Sequence, residues 1–203
     1  MREPKPADLS GRFVDLTLLA PEHAELTLAW RMGARARMLN TGADTVERQR
    51  EWIVSRPPSE RNYLIVLKDG RPVGMVSLVN IDLHVGKAEP ARFLIGEEGA
   101  ARGVPVAAEA LLLLYRLAFD SLALRRLYGV VASSNRPMMK FHEFSGMRRE
   151  GVLREHLFLA GKFQDGVVYG LLEPEFRAVT IGRLEGLINI ARAKESSMKG
   201  CYS

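Results

Sequence analysis

Cysteine is almost missing from this chain: its one copy, Cys201, stands third from the end. An internal disulfide and a cysteine-based metal cluster are therefore excluded, and thiol catalysis is not expected. Long apolar runs are missing too, the longest being far too short to cross a bilayer, and the first residues lack the hydrophobic region of a signal peptide. A soluble cytoplasmic protein with no membrane partner is expected. Internal repeats are absent, and no low-complexity tract follows the first ten residues. Basic residues exceed acidic ones, 29 against 24, giving a formal charge of +5. They are scattered among the acids with no basic stripe interleaved with aromatics, so nucleic acid is not an expected partner. A moderate positive field suits an anionic ligand, but an ordinary basic surface fits equally well.

What is present reads as one domain of mixed α/β order. Residues 1–11, rich in proline and charge, form a leader; 12–176 hold the domain; 177–203 form an extension with helical spacing at Ile181, Leu184, Leu187, Ile188 and Ala191. That apolar face could pair two copies of the chain as a homodimer or cover its own domain. Arg12 to Leu19 alternates as a strand, Pro21 opens a helix through Trp30, and Asp44-Thr-Val-Glu47 has capping-box spacing ahead of a helix that Pro57-Pro58 ends. Asp69-Gly70 between Tyr63–Lys68 and Arg71–Leu78 signals a hairpin. Ala88 to Gly96 reads as a strand. A glycine-bearing turn, Gly99 to Gly103, then leads into an alanine- and leucine-rich helix over Ala107 to Leu122. The Leu111 to Leu114 run is read as its core face.

The most informative stretch is Asn135-Arg-Pro-Met-Met-Lys-Phe-His-Glu-Phe-Ser-Gly146. Asn135 can cap a helix, Pro137 sits where a first-turn proline loses no hydrogen bond, and Gly146 can supply a left-handed stop. Strand-like Arg126–Ala132 precedes it, and extended segments at Gly151–Phe158 and Val167–Leu172 follow.

Over Arg12 to Phe176 the chain resembles the GNAT superfamily of N-acetyltransferases. Arg102-Gly-Val-Pro-Val-Ala107 with Glu109-Ala-Leu111 stands where that family has a glycine loop opening a long helix, and Asn135 to Met147 is similar to its Asn-to-Gly-Phe/Met helix. The resemblance implies a mostly antiparallel sheet splayed around acetyl-CoA and flanked by helices, with no metal. A helix N-terminus offers free N–H groups and partial positive charge, which suits a pyrophosphate. By resemblance, Arg102, Gly103, Val104, Val106 and Ala107 would cradle it, Phe93, Leu94 and Ile95 would line the pantetheine arm, and Asn135 and Lys140 would complete the cofactor site. Pro105 replaces a usual glycine, removing one N–H. Either it weakens binding or it merely starts the helix.

The resemblance further implies an acid at His142, where relatives carry a tyrosine, and a base at Glu89, with the backbone N–H of Leu94 or Ile95 facing the oxyanion. Pro90 would interrupt sheet pairing and encourage a bulge that aims Glu89 inward. The plainer readings make His142 a packing residue and Glu89 a surface partner of Lys87. The small-molecule acceptor implied is a nucleotide-linked amino sugar, held by Asp82, His84 and Arg154, though Asp82 and His84 also read as turn residues. Acetylation of protein N-termini, as in the ribosomal-protein branch, and a non-catalytic binding module are the alternatives. Trp30 and Trp52 are read as core, His156 as facing out of a strand, and His23 as a surface residue of the first helix.

Overall fold

The computed structural model describes residues 8–39, 42–159 and 161–200; the start of the leader and Cys201 lie outside them. One seven-stranded sheet runs in the order β1 (Val14–Leu18), β2 (Arg61–Leu67), β3 (Pro72–Asp82), β4 (Lys87–Ile95), β5 (Arg126–Ala132), β7 (Lys162–Leu172), β6 (Arg148–Leu159). It is the mixed, mostly antiparallel sheet that the sequence implied: five of its six pairings are antiparallel. The hairpin signal is met at Gly70, whose φ of 88° turns β2 into β3 while its N–H donates to Leu67 at 2.9 Å.

The exception is the parallel pair β4–β5, joined only at Lys87–Arg126 and Ala88–Leu127. The vertex is closed by the Gly86 carbonyl, which accepts from Arg125 N–H at 2.7 Å and Arg126 N–H at 3.1 Å. Beyond it the strands separate. Pro90 lies just past the last pair and has no N–H with which to extend the ladder. It nevertheless keeps its place opposite Leu78 in β3, so it does not interrupt that pairing. The bulge in β4 comes later: Met75 faces Leu94 and Ser77 faces Ala91, which leaves Arg92 and Phe93 against one residue of β3, with Arg92 at φ 53°.

Helices cover both faces. On one, Leu111 to Tyr115 of α4 (Val106–Arg116) bury against Ile65, Val76, Leu78, Leu127 and Tyr169. The leucine run is core, as read. α6 (Ile181–Gly200) adds Leu184 and Ile188 to the same cluster. On the other face, α1 (Ala24–Met32) packs Trp30 on Leu64, Met75 and Leu94 beside α2 (Val46–Val54). A side chain at Gly96 would overlap the Trp30 ring, so the end of β4 has room only for glycine. The cap of α2 is one residue later than the sequence suggested. Thr45 accepts from Arg48 N–H at 3.2 Å, while Asp44 pairs with the Arg48 side chain at 2.9 Å.

Glu109, part of the motif that opens α4, has a structural task. Its buried carboxylate accepts from the backbone N–H groups of Arg12 at 2.7 Å, Phe13 at 2.6 Å and Val14 at 2.8 Å. It thereby ties the head of the edge strand β1 to the central helix.

Candidate active site

A cavity of about 1190 Å³ fills the wedge where β4 and β5 part. It opens towards both faces of the sheet. Ala107 and Leu111 of α4, with Asn135, Pro137, Met138, Phe141 and His142 of α5 (Arg136–Ser145), line it on one face; Arg31, Gln49 and Trp52 with the 34–39 turn line it on the other. The strands contribute Glu89 to Ile95 and Gly129 to Ala132. Phe93 and Ile95 pack towards α4 whereas Leu94 is buried under α1, so past the bulge the strand's pleat again alternates side chains between the faces.

At the mouth of α4, Gly103 takes φ 79° with open space around it, and Pro105 is the residue that caps the helix, one position before the first-turn site expected for it. Helix geometry leaves the N–H groups of Val106, Ala107 and Ala108 without intrahelical acceptors. The Val104 N–H is already used, donating to Ala101 at 3.2 Å in the short turn α3 (Glu98–Ala101). The other amides expected there carry no such bond to the turn before them. Arg102 and Lys140 are exposed and lie off the cavity wall, and the buried Val106 can offer only its amide.

α5 forms as its punctuation foretold. The Asn135 side chain accepts from Met138 N–H at 3.3 Å, and Gly146 stops the helix at φ 99°. His142 projects from it to the cavity, its ring centroid 5.3 Å from that of Tyr169. Tyr169 is fully buried and donates to Glu143 at 2.8 Å; burial, aided by that carboxylate, pushes its pKa up to about 12. Burial pulls His142 down to about 4, and its Nδ1 has no hydrogen-bond partner. At neutral pH the imidazole is uncharged. It can present one N–H to a neighbouring sulfur but carries no spare proton.

Glu89 lines the cavity near the vertex, on the α1/α2 side, opposite Val79 in β3. A second bulge, in β3, holds Asn80 at φ 52°, and its Nδ2 donates to Glu89 at 3.1 Å. Burial raises the Glu89 pKa, against the lowering effects of Asn80 and Arg92. A half-buried carboxylate with an elevated pKa is a better base than a solvated one. Lys87 instead lies over the Tyr128 ring, 5.8 Å from its centroid.

The expected acceptor residues do not reach this wall. Asp82 accepts from the backbone N–H groups of His84 at 3.0 Å and Val85 at 2.9 Å, the turn role that its residue type favours. Arg154 is exposed on β6. Others take their place. His156, read as facing away, lines the cavity because β6 bulges between Leu153 and Leu157, with Glu155 N–H donating to Asp165 at 2.9 Å. Trp52, read as core, is also on the wall, with Arg56 4.6 Å and Arg92 5.1 Å from its centroid. Arg92 further donates to Glu60 at 2.8 Å and Asn62 at 3.1 Å.

Comparison with known proteins agrees with this geometry. Residues 14–148 match the model of the acetyltransferase (GNAT) domain. YokL of Bacillus subtilis, named as an uncharacterized N-acetyltransferase, is 30% identical over 63% of this chain and 71% of its own length. YdaF of the same organism, a candidate ribosomal N-acetyltransferase, is 35% identical over 55% of this chain and 59% of its own. The structure of a GCN5-related N-acetyltransferase from Brucella melitensis superimposes with a TM-score of 0.71 at 25% identity, covering 95% of this chain and 88% of that one. A variant of the spermidine N-acetyltransferase SpeG from Vibrio cholerae reaches 0.71 at 18% identity over 81% and 96% of the two chains, and shares the fold alone.

Proposed function

The chain belongs to the GNAT acetyltransferase family and is an acetyl-CoA-dependent N-acetyltransferase, and on that premise we propose how the two-faced cavity works. The observation that carries the reading is the wedge itself, open to α4 and α5 on one face and to α1 and α2 on the other. Acetyl-CoA fits the first face: its volume is ample, the amides at the head of α4 suit a pyrophosphate, and the unpaired edge of β4 is available to an amide-bearing arm. Bound there, acetyl-CoA supplies the thioester.

Each remaining task falls to a group of this chain. The acceptor amine enters from the α1/α2 face, and Glu89 takes its proton, directly or through water. The bulge at Arg92 and Phe93 frees backbone from the ladder, so the N–H of Leu94 or Ile95 can stabilise the oxyanion. The neutral His142 offers an N–H to the departing sulfur. Positioning two molecules at one vertex provides most of the rate gain, with acid and base adding less.

Two acceptors remain in view. The nucleotide-linked amino sugar loses Asp82, His84 and Arg154, yet the arginines of the α1/α2 face suit its phosphates. The N-terminal amine of a protein gains from the likeness to YdaF. Calorimetric titration with acetyl-CoA, followed by turnover with both acceptor types, tests the reading. Saturable micromolar binding is expected; no binding up to millimolar would leave a non-catalytic module in its place.

A further inference from the structure

Arg92 takes φ 53° in the middle of a strand, a left-handed conformation that a residue with a side chain holds only when its surroundings fix it. What fixes it lies two strands away. Its guanidinium reaches back across β3 and grips Glu60 with both arms of its fork, Nη1 at 2.8 Å and Nη2 at 3.3 Å, while Nη1 also donates to Asn62 at 3.1 Å. The Trp52 ring of α2 lies against it, its centroid 5.1 Å away. Asn62 stands opposite Ser77, and Ser77 opposite Ala91, so one row of the sheet leads from β2 to the residue before the bulge. Along that row the buried Ser77 hydroxyl donates to the same Asn62 oxygen at 2.6 Å. A buried network whose members are all partnered is stiff. Burial opposes a charge on Glu60, yet the hydrogen bonds and charge of Arg92, with Asn62 and Arg56, outweigh it and hold the pKa below the ordinary carboxylate value. The pair is therefore ionised at neutral pH.

We infer that Glu60, Asn62 and Arg92 form a clamp that positions the oxyanion donor: by holding Arg92 in its left-handed state they set the course of β4 past the bulge. This rests on the transferase reading and deepens it. Leu94 and Ile95, whose N–H groups that reading assigns to the oxyanion, follow Arg92 by only two and three positions, and a bulge sets the direction of the backbone beyond it. Relaxation of Arg92 to an extended φ would unmake the bulge and turn those N–H groups away. Glu60 and Asn62 lie off the cavity wall, so their influence on the reaction runs through Arg92. They are positioning residues.

The test uses Glu60→Gln, which keeps the shape of the acid and removes its charge, and Arg92→Gly, which removes the clamp at a φ that glycine accepts readily. Arg56, 3.8 Å from Glu60, keeps that carboxylate paired in the second variant. The first readout is the infrared carbonyl band of bound acetyl-CoA labelled at the carbonyl carbon, since a hydrogen bond to that oxygen lowers its stretching frequency. Both variants should bind acetyl-CoA as wild type does, with the band moved to higher frequency. The second readout is turnover of whichever acceptor the wild type takes, a pyrophosphate-linked amino sugar or a peptide with a free N-terminus. Arg92→Gly should lower kcat about 10- to 100-fold, and Glu60→Gln should lower it less, with both KM values unchanged. Arg92→Lys should recover part of the loss, because it keeps the charge without the fork. Rates are compared on the pH plateau, because Arg92→Gly also removes a charge that favours ionised Glu89. A carbonyl band that stays in place in both variants overturns the proposal, as does a loss confined to the acceptor KM, which would make Arg92 an acceptor contact. If Arg92→Gly does not fold, Glu60→Gln decides alone; if no acceptor turns over, the band decides. Failure of the wild type to bind acetyl-CoA instead rejects the transferase reading, which separates the two.

Discussion

Asn80 donates to Glu89 across 3.1 Å, from a β3 bulge to the carboxylate nearest the vertex of the cleft. The bond favours the ionised carboxylate, while burial opposes it more strongly. The acidic limb of kcat/KM should therefore lie above the usual carboxylate range, and Asn80→Ala should move it to higher pH still. Glu89→Gln should lower kcat by about 100-fold with acetyl-CoA affinity retained. A limb that ignores Asn80→Ala would assign the titration to another group.

The same shift has a consequence for stability. A carboxyl group whose folded pKa is raised gives up its proton more readily when unfolded, so stability declines as pH rises from the unfolded pKa towards the folded one. Glu89→Gln should remove that decline. Its thermal midpoint should equal or exceed that of the wild type at pH 7, and the two should converge at lower pH. A clear loss of stability at pH 7 would mean that the charge is compensated in the fold.

His142 works in the opposite direction. With its pKa held at about 4 against 6.5 when free, the unfolded chain binds a proton over that interval and the native one does not. Stability from this group is full above about 6.5 and falls as pH drops towards about 4, by up to ~1.4 kcal/mol per unit. Denaturant melts of His142→Phe should show a shallower decline across this window. Turnover of the variant should be impaired but not abolished, and the wild-type pH profile should show no limb near 6.5 from this residue.

Local chemistry was legible in the sequence; chemistry shared between distant segments was not. Asn135 and Gly146 punctuate α5 through neighbours only three or four residues away, and Asp69-Gly70 makes its turn alone, so both could be read directly. The family pattern placed Glu89, Asn135, His142 and the β4 residues, all of which reach the cavity wall. His156 could not be placed, because it turns inward only through a bulge that Asp165 secures from the next strand. Glu109 read as part of a loop motif, since its partners at Arg12 to Val14 lie more than ninety positions away. Asp82 and His84 drew attention through the family resemblance, yet the hairpin end accounts for Asp82 through backbone bonds, the turn role its residue type favours.

Glu109 should prove more important to folding than to catalysis. Glu109→Ala leaves three backbone donors without their acceptor and should destabilise by about 3 kcal/mol, read as a lower urea midpoint with unchanged slope. Gly11→Ala attacks the same contact from outside, since its Cβ would stand 2.5 Å from Glu109 Cδ. Folded Glu109→Ala at low temperature should keep its acetyl-CoA affinity. A selective loss of that affinity would return Glu109 to the phosphate loop.

Pro105 offers the sharpest test of the cofactor face. It caps α4 with no N–H of its own, next to three amides that the helix leaves free. Pro105→Gly adds one donor at a position where glycine is well tolerated as a cap. If the pyrophosphate lies against this turn, the new N–H should tighten acetyl-CoA about 3- to 10-fold, and a CoA analogue lacking the thiol should gain equally, because the contact is remote from sulfur. Added flexibility works against this gain, since glycine loses more freedom on ordering than proline. An unchanged or weaker affinity for both ligands would therefore be ambiguous alone. Pro105→Ala resolves it, adding the same donor with less freedom to lose: if it too fails to tighten binding, the phosphates rest on Val106 to Ala108 and not on the turn before them.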